Sequence, residues 1–237
     1  MSKYCPVYKN NVLYMDCLDC EDKKQCKTQN PQQKHKYNQI VIGIDQSYNN
    51  TGISICADGK LLKVKSLNLS HLKTKTEKRY KLQSTLQKVL QSVCKPNLSK
   101  QKPTCIIERI RLRSQGFLNI DYIKSIGALN SVIVDVCAQF DVPVYSVDTR
   151  CWKAQVIGTS KPQQNSYGVP EEKWLTVKWV INQGFESSIL QKVEGRKTKG
   201  TFTKDNQKYM YNNDAADSAG IAMFYFVGDK SKLKEET

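Results

Sequence analysis

Residues 40–56, IVIGIDQSYNNTGISIC, carry the strongest pattern in the chain. A run of β-branched residues, Ile40, Val41 and Ile42, continues through Gly43 and Ile44 to one acid, Asp45. A polar turn over 46–51 follows, and Gly52 opens a second apolar run, Ile53 to Cys56. Apolar runs of this length bounded by turn residues read as a buried strand, a hairpin turn and a second strand. An acid at the tip of a buried strand is costly unless a cation or a hydrogen-bond donor meets it. Asp45 is therefore either a turn-capping residue or part of a site.

Working outward, Asp58-Gly59 marks a turn, and Leu61, Leu62, Val64 and Leu67 give a third strand, so the chain begins its main body as an antiparallel meander. Residues 77–93 place Tyr80, Leu82, Leu86, Val89, Leu90 and Val93 at helical spacing, and Cys94-Lys95-Pro96 ends that helix. TCIIERI, residues 104–110, is the next strand, again with an acid, Glu108, at its C-terminal end. Arg109, Arg111 and Arg113 follow, placed either to hold phosphates or to offset Glu108. Residues 120–140 are apolar nearly all round, which predicts a helix buried on more than one side. VPVYSV, 142–147, is a short strand. Asp148-Thr149 can cap the element after it, in which Trp152 reads as core and Lys153 as a phosphate contact or a solvated charge. Residues 170–183 read as a helix with Pro170 at its start and Gly184 past its end. Residues 186–209 are a Lys-rich loop or inserted hairpin. In the last element, YNNDAADSAGIAMFYFV (211–227), Asp214 and Asp217 share one helical face. Two acids in a first helical turn also suit the positive end of the helix dipole. Residues 229–237 form a charged tail expected to lack fixed structure.

The segment before the meander differs in kind. Residues 1–39 hold Cys5, Cys17, Cys20 and Cys26 in a C-x11-C-x2-C-x5-C spacing amid polar filler. Four thiolates with one tight pair suit tetrahedral Zn²⁺, and so short a segment needs such a staple to fold. The alternative is free cysteines in an arm. Of the nine cysteines in the 237 residues, Cys56, Cys94, Cys105, Cys137 and Cys151 are scattered, mostly in apolar runs, as reduced core residues are. No secretory apolar region opens the chain and no apolar run reaches the roughly eighteen residues of a membrane span, so an intracellular protein, cytoplasmic or nucleoid-associated, is expected. A net charge of +15, from 37 Lys and Arg against 22 Asp and Glu, favours a nucleic acid partner over a membrane surface.

Asp45 and Glu108 close two strands that a crossover connection can set side by side, and the last helix can bring Asp214 and Asp217 across to them. Four carboxylates without a nucleophile of their own call for a hard cation, Mg²⁺ or Mn²⁺. Two such ions clamp the attacking water and the leaving oxygen of a phosphodiester.

In this order the motifs resemble those of the RuvC-type Holliday junction resolvases, a branch of the RNase H-like nucleases. GIDQSYNNTG is similar to the family's first-strand motif, IIER to its second and NNDAADSAGIAM to its third. IKSIGALNSVIVDV, VPVYSV, CWKAQVIG and EEKWLTVKWVI follow the family's order, and the resemblance covers about residues 40–227. It implies an α/β chain with the RNase H-like fold, a central mixed five-stranded sheet flanked by helices, preceded by a small Cys-rich extension (1–39) and spanning 40–228. It implies Asp45, Glu108, Asp214 and Asp217 as Mg²⁺ ligands, with Lys153 or Lys173 near the scissile phosphate. It further implies a homodimer that nicks opposite strands of a four-way junction or other branched DNA and leaves 5′-phosphate ends. Family members place an aromatic wedge three positions after the second acid; here that position is Arg111, and the nearest aromatic, Phe117, comes later. Two other readings compete. Actin-like ATPases and sugar kinases share a similar first hairpin, but they need a duplicated domain. A non-catalytic DNA-binding module of the same fold is the other, and clustered acids give such a module nothing.

Overall fold

A computed structural model describes residues 2–5, 10–13, 37–95, 98–109, 120–158, 171–192, 201–204 and 207–236. The chain divides into two compact units, Met1–His35 and Lys36–Thr237. In the first, β1 (Ser2–Cys5) and β2 (Asn10–Leu13) pair as an antiparallel hairpin, with Cys5 opposite Asn10. Cys17, Cys20, Cys26 and the side chain of Cys5 lie outside the described residues, and with them the zinc expectation.

The second unit is built on a mixed sheet. β3 (Ile40–Asp45) is buried along its whole length, as a strand covered on both faces must be. β4 (Asn50–Ala57) runs antiparallel to it and β5 (Lys60–Asn68) antiparallel to β4. Asp58 (φ 48°) and Gly59 (φ 75°) both take positive φ in the β4–β5 turn, the geometry a two-residue hairpin needs to match strand twist. α1 (Lys75–Val93) crosses over and returns the chain to β6 (Thr104–Glu108), parallel to β3. α2 (Ile120–Gln139) does the same for β7 (Val144–Val147), parallel to β6.

The expected five strands are all present, and a sixth joins them: β11 (Lys234–Glu235) pairs antiparallel with β7, giving the order β11-β7-β6-β3-β4-β5. The tail expected to lack structure thus caps the sheet edge. A turn of 3-10 helix (Lys230–Lys232) leads into it, and Arg109 donates to the Lys232 carbonyl at 3.2 Å. Edge pairing needs only backbone groups, so a charged two-residue strand gives no sequence signal.

α3 (Thr149–Trp152) passes directly into a π-helical turn, Lys153–Ile157, closed by Gly158 at φ 87°. Asp148 caps α3 as expected, accepting from the Arg150 amide at 2.9 Å. α4 (Glu171–Asn182) and the short α5 (Glu186–Ile189) lead to a small antiparallel sheet in the order β8-β10-β9. Its strands are Leu190–Lys192 (β8), Thr201–Lys204 (β9) and Gln207–Tyr211 (β10). The inserted segment is therefore a three-stranded element. α6 (Asn213–Val227) ends the helical part. Among the described residues, no helix is long and apolar enough to cross a membrane.

Strand alternation sorts the core into two layers. Val41 and Ile106 pack with Ala215, Ala216, Ala219 and Ala222 of α6. On the other face, Cys105, the register partner of Ile42, contacts Cys137 of α2. Burial pushes the Cys56 thiol up to about 12, so it is a small core residue with little thiolate at neutral pH.

Candidate active site

Asp45 and Glu108 are the last residues of neighbouring parallel strands. Ile44 is in register with Ile107, so the two acids follow side by side, about 4.8 Å apart at the backbone. Asp45 lies two residues beyond Gly43 and Glu108 two beyond Ile106, which places both on the α6 face of the sheet.

Two glycines let α6 come down onto that face. A Cβ on Gly43 would sit 2.7 Å from the Ala222 nitrogen and 2.8 Å from its Cβ. A Cβ on Gly52, opposite Asp45 across the β3–β4 pair, would collide with the Asp214 carbonyl. Ser54 donates to the Ser218 carbonyl at 2.7 Å and locks the same crossing. The N-terminal turns of α6, carrying Asp214 and Asp217, therefore lie over the ends of β3 and β4. Asn212 caps the helix by accepting from the Ala215 amide at 3.0 Å.

The four carboxylates feel one another. Asp45 is 9% exposed and its pKa is raised well above the ordinary carboxylate range. Burial is the largest cause, followed by repulsion from Glu108, Asp217 and Asp214; Lys153 pulls the other way. Asp217 is pushed up to about 6, again mainly by burial, with Lys153 and Asn213 opposing and Glu108 and Asp214 adding to the rise. Lys153 Nζ lies 3.6 Å from Asp217 Oδ2, and both side chains are buried. The shift on Asp217 shows that desolvation outweighs this one cation.

Neighbouring polar side chains hold the acids in place. Asn50 Nδ2 donates to Asp214 Oδ2 at 2.9 Å and to Asn212 Oδ1 at 3.2 Å, while Ser66 donates to Asn50 Oδ1. Gln46 clamps the backbone of Glu108: its Nε2 donates to the carbonyl at 2.5 Å, and its Oε1 accepts from the amide at 3.2 Å. Thr149 Oγ1 donates to Glu108 Oε1, and Asn213 Nδ2 donates to Asp217 Oδ2 at 2.8 Å. None of Gln46, Asn50, Thr149 and Asn213 is marked as a site residue by the sequence, where Thr149 reads only as part of a helix cap. Each is a polar residue at a turn or helix start, where a capping role gives the same pattern.

The set fits a hard divalent cation by two observations. Every donor is a carboxylate oxygen, and Asp217 Oδ1 is buried without a hydrogen-bond partner among the described residues. Among the described residues, no group of three or more His, Cys, Asp or Glu side chains is arranged to hold an ion as it stands. The four acids share a field rather than a closed cage. Such a field attracts a cation.

The basic residues divide. Lys153, expected at a phosphate or in solvent, is buried among the acids at the first position of the π turn, 5.2 Å from the Trp152 ring centroid. Arg109 donates to Ser146 Oγ at 3.3 Å, to the Ser146 carbonyl at 3.2 Å and to the tail, so it serves the sheet edge. Arg111, Arg113, Phe117 and the side chain of Lys173 lie outside the described residues.

No protein-family model matches the sequence, and no curated protein matches it. Solved structures do match. RuvC of Thermus thermophilus aligns at TM-score 0.51 and 16% identity, over 83% of this chain and 99% of its own. RuvC of the same organism in complex with a Holliday junction substrate aligns at TM-score 0.52, with the same identity and coverage. The yeast mitochondrial Holliday junction resolvase Ydc2 aligns more loosely, at TM-score 0.46 and 13% identity over 81% of this chain and 79% of its own. The chain has the RNase H-like fold of the RuvC-type resolvases.

Proposed function

We propose that this protein is a divalent-metal-dependent, structure-selective DNA endonuclease that hydrolyses phosphodiesters in four-way junctions or other branched DNA, leaving 5′-phosphate nicks. The observation that carries the reading is the convergence of Asp45, Glu108, Asp214 and Asp217 from two strand ends and one helix onto a single face, Asp45 and Asp217 buried, Glu108 and Asp214 half-buried, with like charges repelling. A structural role does not require four acids to be gathered where each raises the cost of the others. Asp45, Glu108, Asp214 and Asp217 would hold Mg²⁺ or Mn²⁺, which when bound supplies charge neutralisation at the phosphate and activation of water. The protein's own groups prepare that site. Asn50 aims Asp214, Thr149 aims Glu108, and Lys153 limits the repulsion around Asp217. The net charge of +15 supports a polyanionic substrate. A homodimer would present two such sites to opposite strands.

The test is a cleavage panel of junctions, flaps, forks and duplexes under Mg²⁺ and Mn²⁺. Asp45→Asn is expected to abolish cleavage of the preferred substrate while preserving its binding in the absence of metal. Wild-type protein that binds every substrate and cuts none would overturn the reading in favour of a binding module.

A further inference from the structure

Beside the acids, the β3–β4 turn forms one wall of a second, smaller feature. A cleft of about 220 Å³ is lined by Tyr48 from that turn, Lys75 and Arg79 from the first turns of α1, and Lys124, Ser125 and Ala128 from α2. None of these lining residues is acidic. Lys75, Arg79 and Lys124 make no ion pair among the described residues, where the ion pairs are Lys102–Asp141, Lys153–Asp217 and Lys232–Asp229. The nearby Glu77 carboxylate is committed to the helix start, accepting from the Thr74 amide at 2.9 Å and the Lys73 amide at 3.0 Å. Asp121, one turn before Lys124 on α2, is exposed. A fourth cation, Lys78, lies 6.0 Å from the Tyr48 ring centroid and donates to Asn49 Oδ1 at 3.2 Å.

The turn ties this cleft to the acids. Gln46 holds the Glu108 backbone at one end and Asn50 holds Asp214 at the other, with Tyr48 midway. Tyr48 is three residues past Asp45, a reach of at most roughly 10 Å. At about 3.4 Å of rise per nucleotide, that span corresponds to at most about three nucleotides along a strand. Another lysine-lined cavity, with Lys95, Lys100 and Lys102, sits beside the start of β6, at the opposite end of the sheet, and Lys102 there is paired with Asp141.

We propose that the Tyr48–Lys75–Arg79–Lys124 cleft is a DNA-backbone seat that grips the cut strand within about three nucleotides of the scissile phosphate, with the Tyr48 ring against a sugar or base. The inference rests on the endonuclease reading and adds where the strand runs. Three cations without an ion pair among the described residues, set around a half-buried aromatic ring, suit a phosphodiester and its neighbouring base. Held at two points, the strand is fixed in register over the acids.

The experiment measures binding of a fluorescent four-way junction by anisotropy, in EDTA and across a series of KCl concentrations. It compares wild type, the triple variant Lys75→Ala/Arg79→Ala/Lys124→Ala, and the control Lys95→Ala/Lys100→Ala/Lys102→Ala, each checked for an unchanged melting temperature. The slope of log K against log salt is expected to fall by about 2 to 3 in the cleft variant, close to one for each phosphate no longer neutralised, and to hold in the control. Affinity of the cleft variant near 0.1 M salt should fall at least tenfold. Tyr48→Ala alone should weaken binding and leave the slope unchanged. Equal slopes in wild type and the cleft variant, or equal losses in both triple variants, would overturn the seat while leaving the nuclease reading intact. A wild-type protein without affinity for the junction or for flaps and forks would overturn both.

Discussion

Lys153→Met removes the cation from the acid cluster while keeping the length of the side chain. In the wild type, Nζ stands 3.6 Å from Asp217 Oδ2, and both side chains are about nine-tenths buried. Deleting one member of a buried pair leaves an uncompensated charge and costs about 3–5 kcal/mol. In a domain of this size each kcal/mol moves the melting temperature by roughly 2–4 °C, so the variant should melt about 6–20 °C lower in EDTA at pH 8. The loss must depend on pH. The Asp217 pKa, about 6 against an ordinary 3.8, means that the native state binds more protons than the unfolded chain between those values. The Asp217 contribution therefore costs stability as pH rises through that window, and Asp45, whose pKa is also raised, acts in the same direction. Without Lys153 the folded value moves higher still, so the variant keeps losing stability beyond pH 6 and lies closest to wild type near pH 4. Adding Mg²⁺ at pH 8 should restore much of the melting temperature, by about 2.7 kcal/mol when the ion is at a hundredfold its dissociation constant. The assay is differential scanning fluorimetry over pH 4–9, with EDTA and with Mg²⁺. A variant that melts with wild type at pH 8 in EDTA would refute the claim that these carboxylates share one field.

Gly43→Ala places a methyl group against the backbone of α6, which has no flexible end to give way; a loss of about 3 kcal/mol is expected, read as a melting temperature roughly 6–12 °C lower. Asn50→Ala should reduce cleavage about 10–100-fold through misorientation of Asp214, with a weakened apparent affinity for Mn²⁺ in direct titration. Cys17→Ser should lower the zinc content of the purified protein; equal zinc in wild type and variant would remove metal from the N-terminal unit.

The parts of the fold that follow from periodicity were legible. β3 and β6 announce themselves by β-branched runs ending on an acid, and the meander by its turn residues. Asp214 and Asp217 are placed together by helical spacing alone. Other parts depend on tertiary context. Lys153 follows a tryptophan at a helix start, and only the π turn aims it inward. α1 begins at Lys75, two residues before the expected start at residue 77, because Thr74 and Glu77 form a capping box that hydrophobic spacing does not register. Arg109 sits beside an acid, as a phosphate ligand would, yet its donors reach backbone carbonyls that come close only after β7 and β11 have paired.

The glycine floor beneath α6 has a consequence for synthesis. β3 and β6 leave the ribosome well before residues 213–227, and until that helix settles on Gly43 and Gly52 only half of the carboxylates are in place. On the proposed reading, a nascent copy that has not yet received this helix lacks half of its cutting centre and is harmless to the genome around it.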